Sequence, residues 1–312
     1  MTFGQILLTI GLPTFIGAIL IVPAWLVPRI RDISGLAGSA LGVALGMALV
    51  VAFMAEAGVP SLPPAQKWHM LPIIACGIVI LCPVVVLMDG SGEFGRWLIS
   101  VATGAVIGWL AVFPQMDIFG RVLLGIWVGV SFMVMSLVSH RRRGITVTLS
   151  LTIVFTALAI LCWQAHQITL TLINVALAAT SGIGFVSALV AEVWTRDEEG
   201  NRRSIAIGWG GAFAAASLVP LTCFCGWAYT MGDVRWIHWA LVGAAPTMLI
   251  IGELPWLKRH TGLGSSFVRV SMVCIPVALA LVLLFTGARW DDESQSTETN
   301  IERIEHTFDS DY

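Results

Sequence analysis

The stretch Ser34-Gly-Leu-Ala-Gly-Ser-Ala-Leu-Gly-Val-Ala-Leu-Gly46, which stays apolar as far as Glu56, decides how the chain is read. At about 100° per residue, Gly35, Gly38, Gly42 and Gly46 fall on one stripe of a helix, and Ala37, Ala40, Ala44 and Ala48 on the opposite one. Glycine disfavours a helix in water because it has the most backbone freedom to lose. In a bilayer the same residues let two backbones approach closely, and van der Waals packing takes over from the hydrophobic effect. A helix smooth on both sides is expected to be sandwiched near the middle of a bundle, or to offer a face to a second copy or a membrane-protein partner.

Composition agrees with a bilayer as solvent. Of 312 residues, 57% are hydrophobic and 12% charged, with a mean hydropathy of +0.87, which leaves too little charge to cover a water-soluble domain of this size. The fold class expected is therefore all-α, a polytopic membrane bundle in contact with the lipid bilayer. No basic domain or aromatic-basic surface points to nucleic acid. Met1-Thr-Phe-Gly-Gln5 lacks the positive start of a signal peptide, so the first apolar run is expected to remain as a span.

About 20 apolar residues cross about 30 Å of hydrocarbon. Ten segments meet that length: 4–27, 35–56, 70–88, 97–114, 120–139, 145–163, 168–194, 205–229, 236–254 and 266–287. Numbering the connections alternately, one set holds twelve of the 17 Lys and Arg residues, including Arg29, Arg31, Arg96, Arg141–Arg143, Arg196, Arg202, Arg203, Lys258, Arg259 and Arg269. The other set holds Lys67, Arg121, Arg235, Arg289 and Arg303. Positive charge favours the cytoplasmic side, so both termini are expected outside, in a bacterial cytoplasmic membrane. Residues 1–287 form the membrane domain. The acidic stretch 288–312 is expected to be a disordered tail.

Several local patterns refine this plan. Ile145-Thr-Val-Thr-Leu-Ser-Leu-Thr152 alternates like a strand, but a barrel would need that alternation throughout, so the segment is read as helix. Thr148, Thr152 and Thr156 then stack four apart, each able to return its hydroxyl to the preceding turn. Gly104/Gly108 and Gly125/Gly129 are small-residue pairs on segments joined by a tight connection, hence antiparallel neighbours. Pro13, Pro83, Pro220, Pro246 and Pro276 are expected to kink their spans. Trp25, Trp68, Trp97, Trp163, Trp194, Trp227, Trp236, Trp239, Trp256 and Trp290 punctuate span ends as an interfacial belt. Val50-Val-Ala-Phe-Met-Ala-Glu56 matches Val186-Ser-Ala-Leu-Val-Ala-Glu192 at four positions, and an inverted five-plus-five duplication would place these ends on opposite sides.

Functional candidates are few. On the seventh segment, Thr171, Asn174 and Ser181 share a polar face, and Ser181-Gly182-Ile-Gly184 is expected to loosen the helix at mid-membrane and line a substrate path. Packing onto a neighbouring helix is the plainer alternative. No carboxylate lies at depth; Glu56, Glu192, Glu253 and Arg269 sit near span ends. His69, His166 and His238 gather on the outer side, a layer that weakly matches a zinc, copper or haem-ligand set, although no pair stands four apart. The six cysteines lie in apolar runs, with no metal spacing. Neither a hydrolase elbow nor a phosphate-binding loop is present, so no cofactor is expected and an enzyme is disfavoured. The leading expectation is a transporter or permease for a small or lipophilic molecule, with a non-catalytic membrane subunit or scaffold as the alternative.

Overall fold

The computed structural model describes residues 3–27, 36–60, 64, 66–111, 113, 116–141, 144–194, 205–230, 234–253 and 263–308. Gly35, Asp233, Trp256 and many of the charges that set the orientation (Arg29, Arg31, Arg142, Arg143, Arg196, Arg202, Arg203, Lys258 and Arg259) lie outside them. Helix is the only regular structure among the described residues. The first helix, α1, passes from Phe3–Ile6 through a π-helical turn at Leu7–Gly11 into Leu12–Leu26. Then follow α2 (Leu36–Ala57), α3 (Met70–Leu87), α4 (Gly92–Leu110), α5 (Ile118–Arg141) and α6 (Gly144–Gln164). The remainder are α7 (Ile168–Trp194), α8 (Gly208–Tyr229), α9 (Trp236–Ala244, continued as 3-10 helix over Ala245–Glu253) and α10 (Leu263–Phe308).

Eight of these elements carry a stretch long and apolar enough to cross a membrane, and the chain is a multi-pass membrane protein. Large apolar side chains such as Phe15, Ile80, Leu87, Ile118 and Ile275 point outward, as a bilayer permits and water does not. Each of the expected ten segments contains helix among the described residues, but α4 and α9 fall short of that standard. Gly92-Glu-Phe-Gly-Arg96 dilutes the apolar run of α4, and α9 stops being α-helical at Ala245, just before Pro246, which has no N–H to give. At the other end, α10 continues in its backbone course through the acidic stretch to Phe308.

The innermost element is α8 rather than α2: 94% of its span is buried, against 61% for α2. The reason is written in Gly208-Trp-Gly-Gly-Ala-Phe-Ala-Ala-Ala216, whose small side chains let α2, α3, α5 and α9 crowd around one rod. Gly38, Gly42 and Gly46 of α2 lie in close contact with neighbouring helices. A Cβ on Gly42 would stand 2.5 Å from the Gly210 carbonyl oxygen and 2.7 Å from Cys82 Sγ, and one on Gly46 would stand 2.6 Å from Val79 Cγ2. Gly38 lies against Ile207 and Gly208, the latter with φ +64°, a left-handed backbone that favours glycine. Ala40, Ala44 and Ala48 are buried too, and α2 also packs on α1 and α7. Among the described residues, both small-residue faces of α2 pack against helices of the same chain.

The α4–α5 hairpin is an antiparallel small-residue zipper. A Cβ on Gly108 would meet the Arg121 carbonyl at 2.6 Å, one on Gly125 the Gly104 carbonyl at 2.7 Å, and one on Gly129 the Ser100 carbonyl at 3.1 Å. Ser100 Oγ donates to the Gly129 carbonyl at 2.6 Å across the seam. On α6 the threonines return their hydroxyls as expected: Thr148 to Gly144 O (2.7 Å), Thr152 to Thr148 O (2.9 Å) and Thr156 to Thr152 O (2.7 Å). The two halves of the chain do not pack alike among the described residues. Helix α1 lies against α7, whereas α6, its counterpart in a duplication, has no comparable interface with α2.

Candidate functional site

The polar face of α7 is built from a helix that runs unbroken from Ile168 to Trp194, without the loosening expected at Ser181–Gly184. Asn174 is wholly buried; its Nδ2 donates to the Leu170 carbonyl at 2.9 Å and reaches Cys162 Sγ on α6 at 3.5 Å, while its Oδ1 has no partner. Thr171 donates to the Gln167 carbonyl (2.9 Å). Ser181 Oγ donates to the Ala178 carbonyl (2.9 Å) and lies 3.1 Å from Thr152 Oγ1 of α6. Gly182 and Gly184 face Thr152 and Thr148, and Gly184 also meets Leu41 of α2. Asn174, Ser181, Gly182 and Gly184 thus lie on the packed seam between α6 and α7, whereas Thr171 bonds back within its own turn.

The three histidines sit in different surroundings. His69 packs edge-on against Phe53 (5.6 Å) and Trp68 (5.0 Å). His238 is buried, with Nδ1 2.9 Å from the Arg235 carbonyl, and His166 is exposed in a turn with φ +55°. Among the described residues, no three His, Cys, Asp or Glu side chains stand close enough to hold a metal ion. Two of the ionisable groups near span ends, Glu56 and Arg269, have local partners. Thr9 Oγ1, set in the π-helical turn, reaches Glu56 Oε1 at 2.5 Å. Arg269 crosses Gly252 on its way to the Gly252 carbonyl and Ser265.

A cavity of about 550 Å³ lies elsewhere, between α5, α8 and α9. Each helix contributes a stripe at helical spacing: Ile126, Trp127 and Val130; Phe224 and Trp227; Trp236, Trp239 and Ala240. Trp127 and Phe224 meet at 5.6 Å and Phe224 and Trp227 at 5.9 Å, both edge to face. Glycines make room for the rings. A Cβ on Gly243 would lie 2.6 Å from Trp127 Cζ2, and Gly226 sits directly under the Trp239 ring. Trp236 stands exposed at the mouth, whereas Trp239 is buried.

Cys223 is the one titratable group in this lining, so the groove offers no acid–base pair; it offers aromatic faces and dispersion. Of the Trp residues here, the sequence places Trp227, Trp236 and Trp239 in an interfacial belt. Trp236 fits that description, but Trp239 and Trp25 are core residues, Trp25 donating Nε1–H to the Ala37 carbonyl at 2.8 Å. The signal available beforehand was the set Trp236, Trp239, Ala240, Ala244, one face of one helix. Gly226 also ties α8 to the connection before α7, because its carbonyl accepts from Gln167 Nε2 at 2.9 Å. Comparison with protein-family models, with curated proteins and with solved structures finds no match.

Proposed function

We propose that this chain is a ten-span permease for a lipophilic, aromatic molecule held in the groove between α5, α8 and α9. The observation that carries the reading is a cavity walled by five aromatic rings and cleared by Gly226 and Gly243. Such walls bind flat apolar molecules by stacking, and cations among them by cation–π attraction. The polar face of α7 (Thr171, Asn174, Ser181, Gly182, Gly184) is proposed as a second stretch of the path, opened only when α6 moves off it. It is tied to the groove through Gln167 and Gly226.

The element lengths support ten crossings. Nine α-helical residues and nine 3-10 residues in α9 span about 14 Å plus about 18 Å, matching about 30 Å of hydrocarbon despite the short sequence. We place both termini outside, in a bacterial cytoplasmic membrane, on the distribution of Lys and Arg.

The test is ethidium binding and ethidium release from proteoliposomes, comparing the wild type with Ala240→Trp, which fills the groove, and with Asn174→Ala. Saturable binding and protein-dependent release, both lost in Ala240→Trp and release slowed in Asn174→Ala, support the reading. Unchanged behaviour in both variants removes the proposed path.

A further inference from the structure

A second cavity runs along the lipid-facing side of the α4–α5 hairpin, about 530 Å³ in volume. Its floor is the close approach of Gly104, Gly108 and Gly125, and its walls include Val101 and Trp109, both strongly exposed. It extends along α4 from Ser100 to Trp109, which is about 14 Å of helix and close to half of the ~30 Å hydrocarbon thickness. One acyl chain of one leaflet has that reach.

At the interfacial end stands Arg121. It lies in the first turn of α5, within the apolar element, and belongs to the smaller set of positive charges that the orientation leaves on the outer side. It has no hydrogen-bonding or ionic side-chain partner among the described residues, and its Nε is buried without an acceptor. Asp117, one turn earlier, does not serve it: Asp117 Oδ1 accepts from the Gly120 N–H at 2.7 Å. An unpaired guanidinium at the edge of hydrocarbon is costly, and its planar fork matches the oxygens of a phosphate.

We propose that this groove holds one acyl chain of an anionic phospholipid, with Arg121 binding the phosphodiester. Walls of Val101, Trp109, Val122 and Ile126 offer nothing to a free anion, and Ser100, the hydroxyl in the lining, is already committed to Gly129. Charge and apolar length therefore select the same molecule. The assignment rests on the reading that α4 crosses the membrane but not on transport, because no flux enters its test.

The full chain in neutral detergent is titrated with phosphatidylglycerol, with phosphatidylcholine of the same acyl chains and with inorganic phosphate, and bound lipid is counted by native mass spectrometry. Phosphatidylglycerol is expected to bind about fivefold more tightly than phosphatidylcholine. Arg121→Gln should abolish that preference, Arg121→Lys should retain most of it, and Val101→Trp should weaken both lipids. Equal binding of the two lipids by the wild type overturns the proposal without any variant. So does a preference that survives Arg121→Gln, full lipid binding by Val101→Trp, inorganic phosphate displacing phosphatidylglycerol at equal concentration, or a dimer that forms through this face and excludes lipid.

Discussion

Gly42 of α2 and Gly210 of α8 touch backbone to backbone: a Cβ on Gly42 would stand 2.5 Å from the Gly210 carbonyl oxygen and 3.0 Å from its carbon. A carbonyl on the most buried helix cannot rotate away, and Cys82 closes the other side. Gly42→Ala is therefore expected to destabilise the bundle by about 1–3 kcal/mol, the usual cost of overpacking. Gly77, where nothing lies within 4 Å, is the control. Gly77→Ala should be neutral or stabilising by up to about 1 kcal/mol. Melting of both variants in detergent, side by side, checks the contrast.

The α4–α5 seam separates packing from hydrogen bonding. Removing the Ser100 hydroxyl deletes one bond to the Gly129 carbonyl, worth about 0.6 kcal/mol inside a membrane. Adding a side chain at Gly108 drives atoms into the Arg121 carbonyl. Unfolding free energies should rank Gly108→Leu as far more damaging than Ser100→Ala. The reverse order would mean that the glycines do not hold the seam.

The π-helical turn of α1 aims Thr9 at Glu56 on α2. Thr9→Val keeps the volume and removes the donor, leaving a half-buried carboxyl without that bond. A loss of about 1.5–3 kcal/mol is expected, as for hydrogen bonds to charged groups. Thr9→Ser, which retains the hydroxyl, should recover most of it in the same denaturation assay.

The acidic stretch is expected to contribute nothing to the bundle. Truncation after Gly287 should leave the melting temperature and the elution volume of the membrane domain unchanged, and protease should remove residues 288–312 from the intact protein first. A large drop in melting temperature would show that the stretch docks on the helices.

What could be read beforehand was whatever depends on residues close in sequence. The threonine ladder of α6, the antiparallel α4–α5 pair and the close packing of α2 all follow from spacing along one or two helices. The centrality of α8 was visible only as a run of Gly and Ala, because which helices crowd a smooth rod is decided by the rest of the bundle. The aromatic groove was hidden for the same reason. Trp127, Phe224 and Trp239 come from three helices, and each alone reads as an ordinary apolar or interfacial residue. The polar face of α7 was legible as a face, but its neighbour was not. Thr152 and Cys162 of α6 occupy the side on which a path was expected.

The number of crossings is tested most directly by labelling single cysteines, in a cysteine-free background, from either side of intact cells. The three positions are the amino terminus, residue 142 and the carboxyl end. Ten crossings put both termini on the outer side and residue 142 in the cytoplasm, because α4 and α9 each reverse the chain. If all three positions react from the same side, α4 and α9 do not cross, and the ten-span permease is wrong.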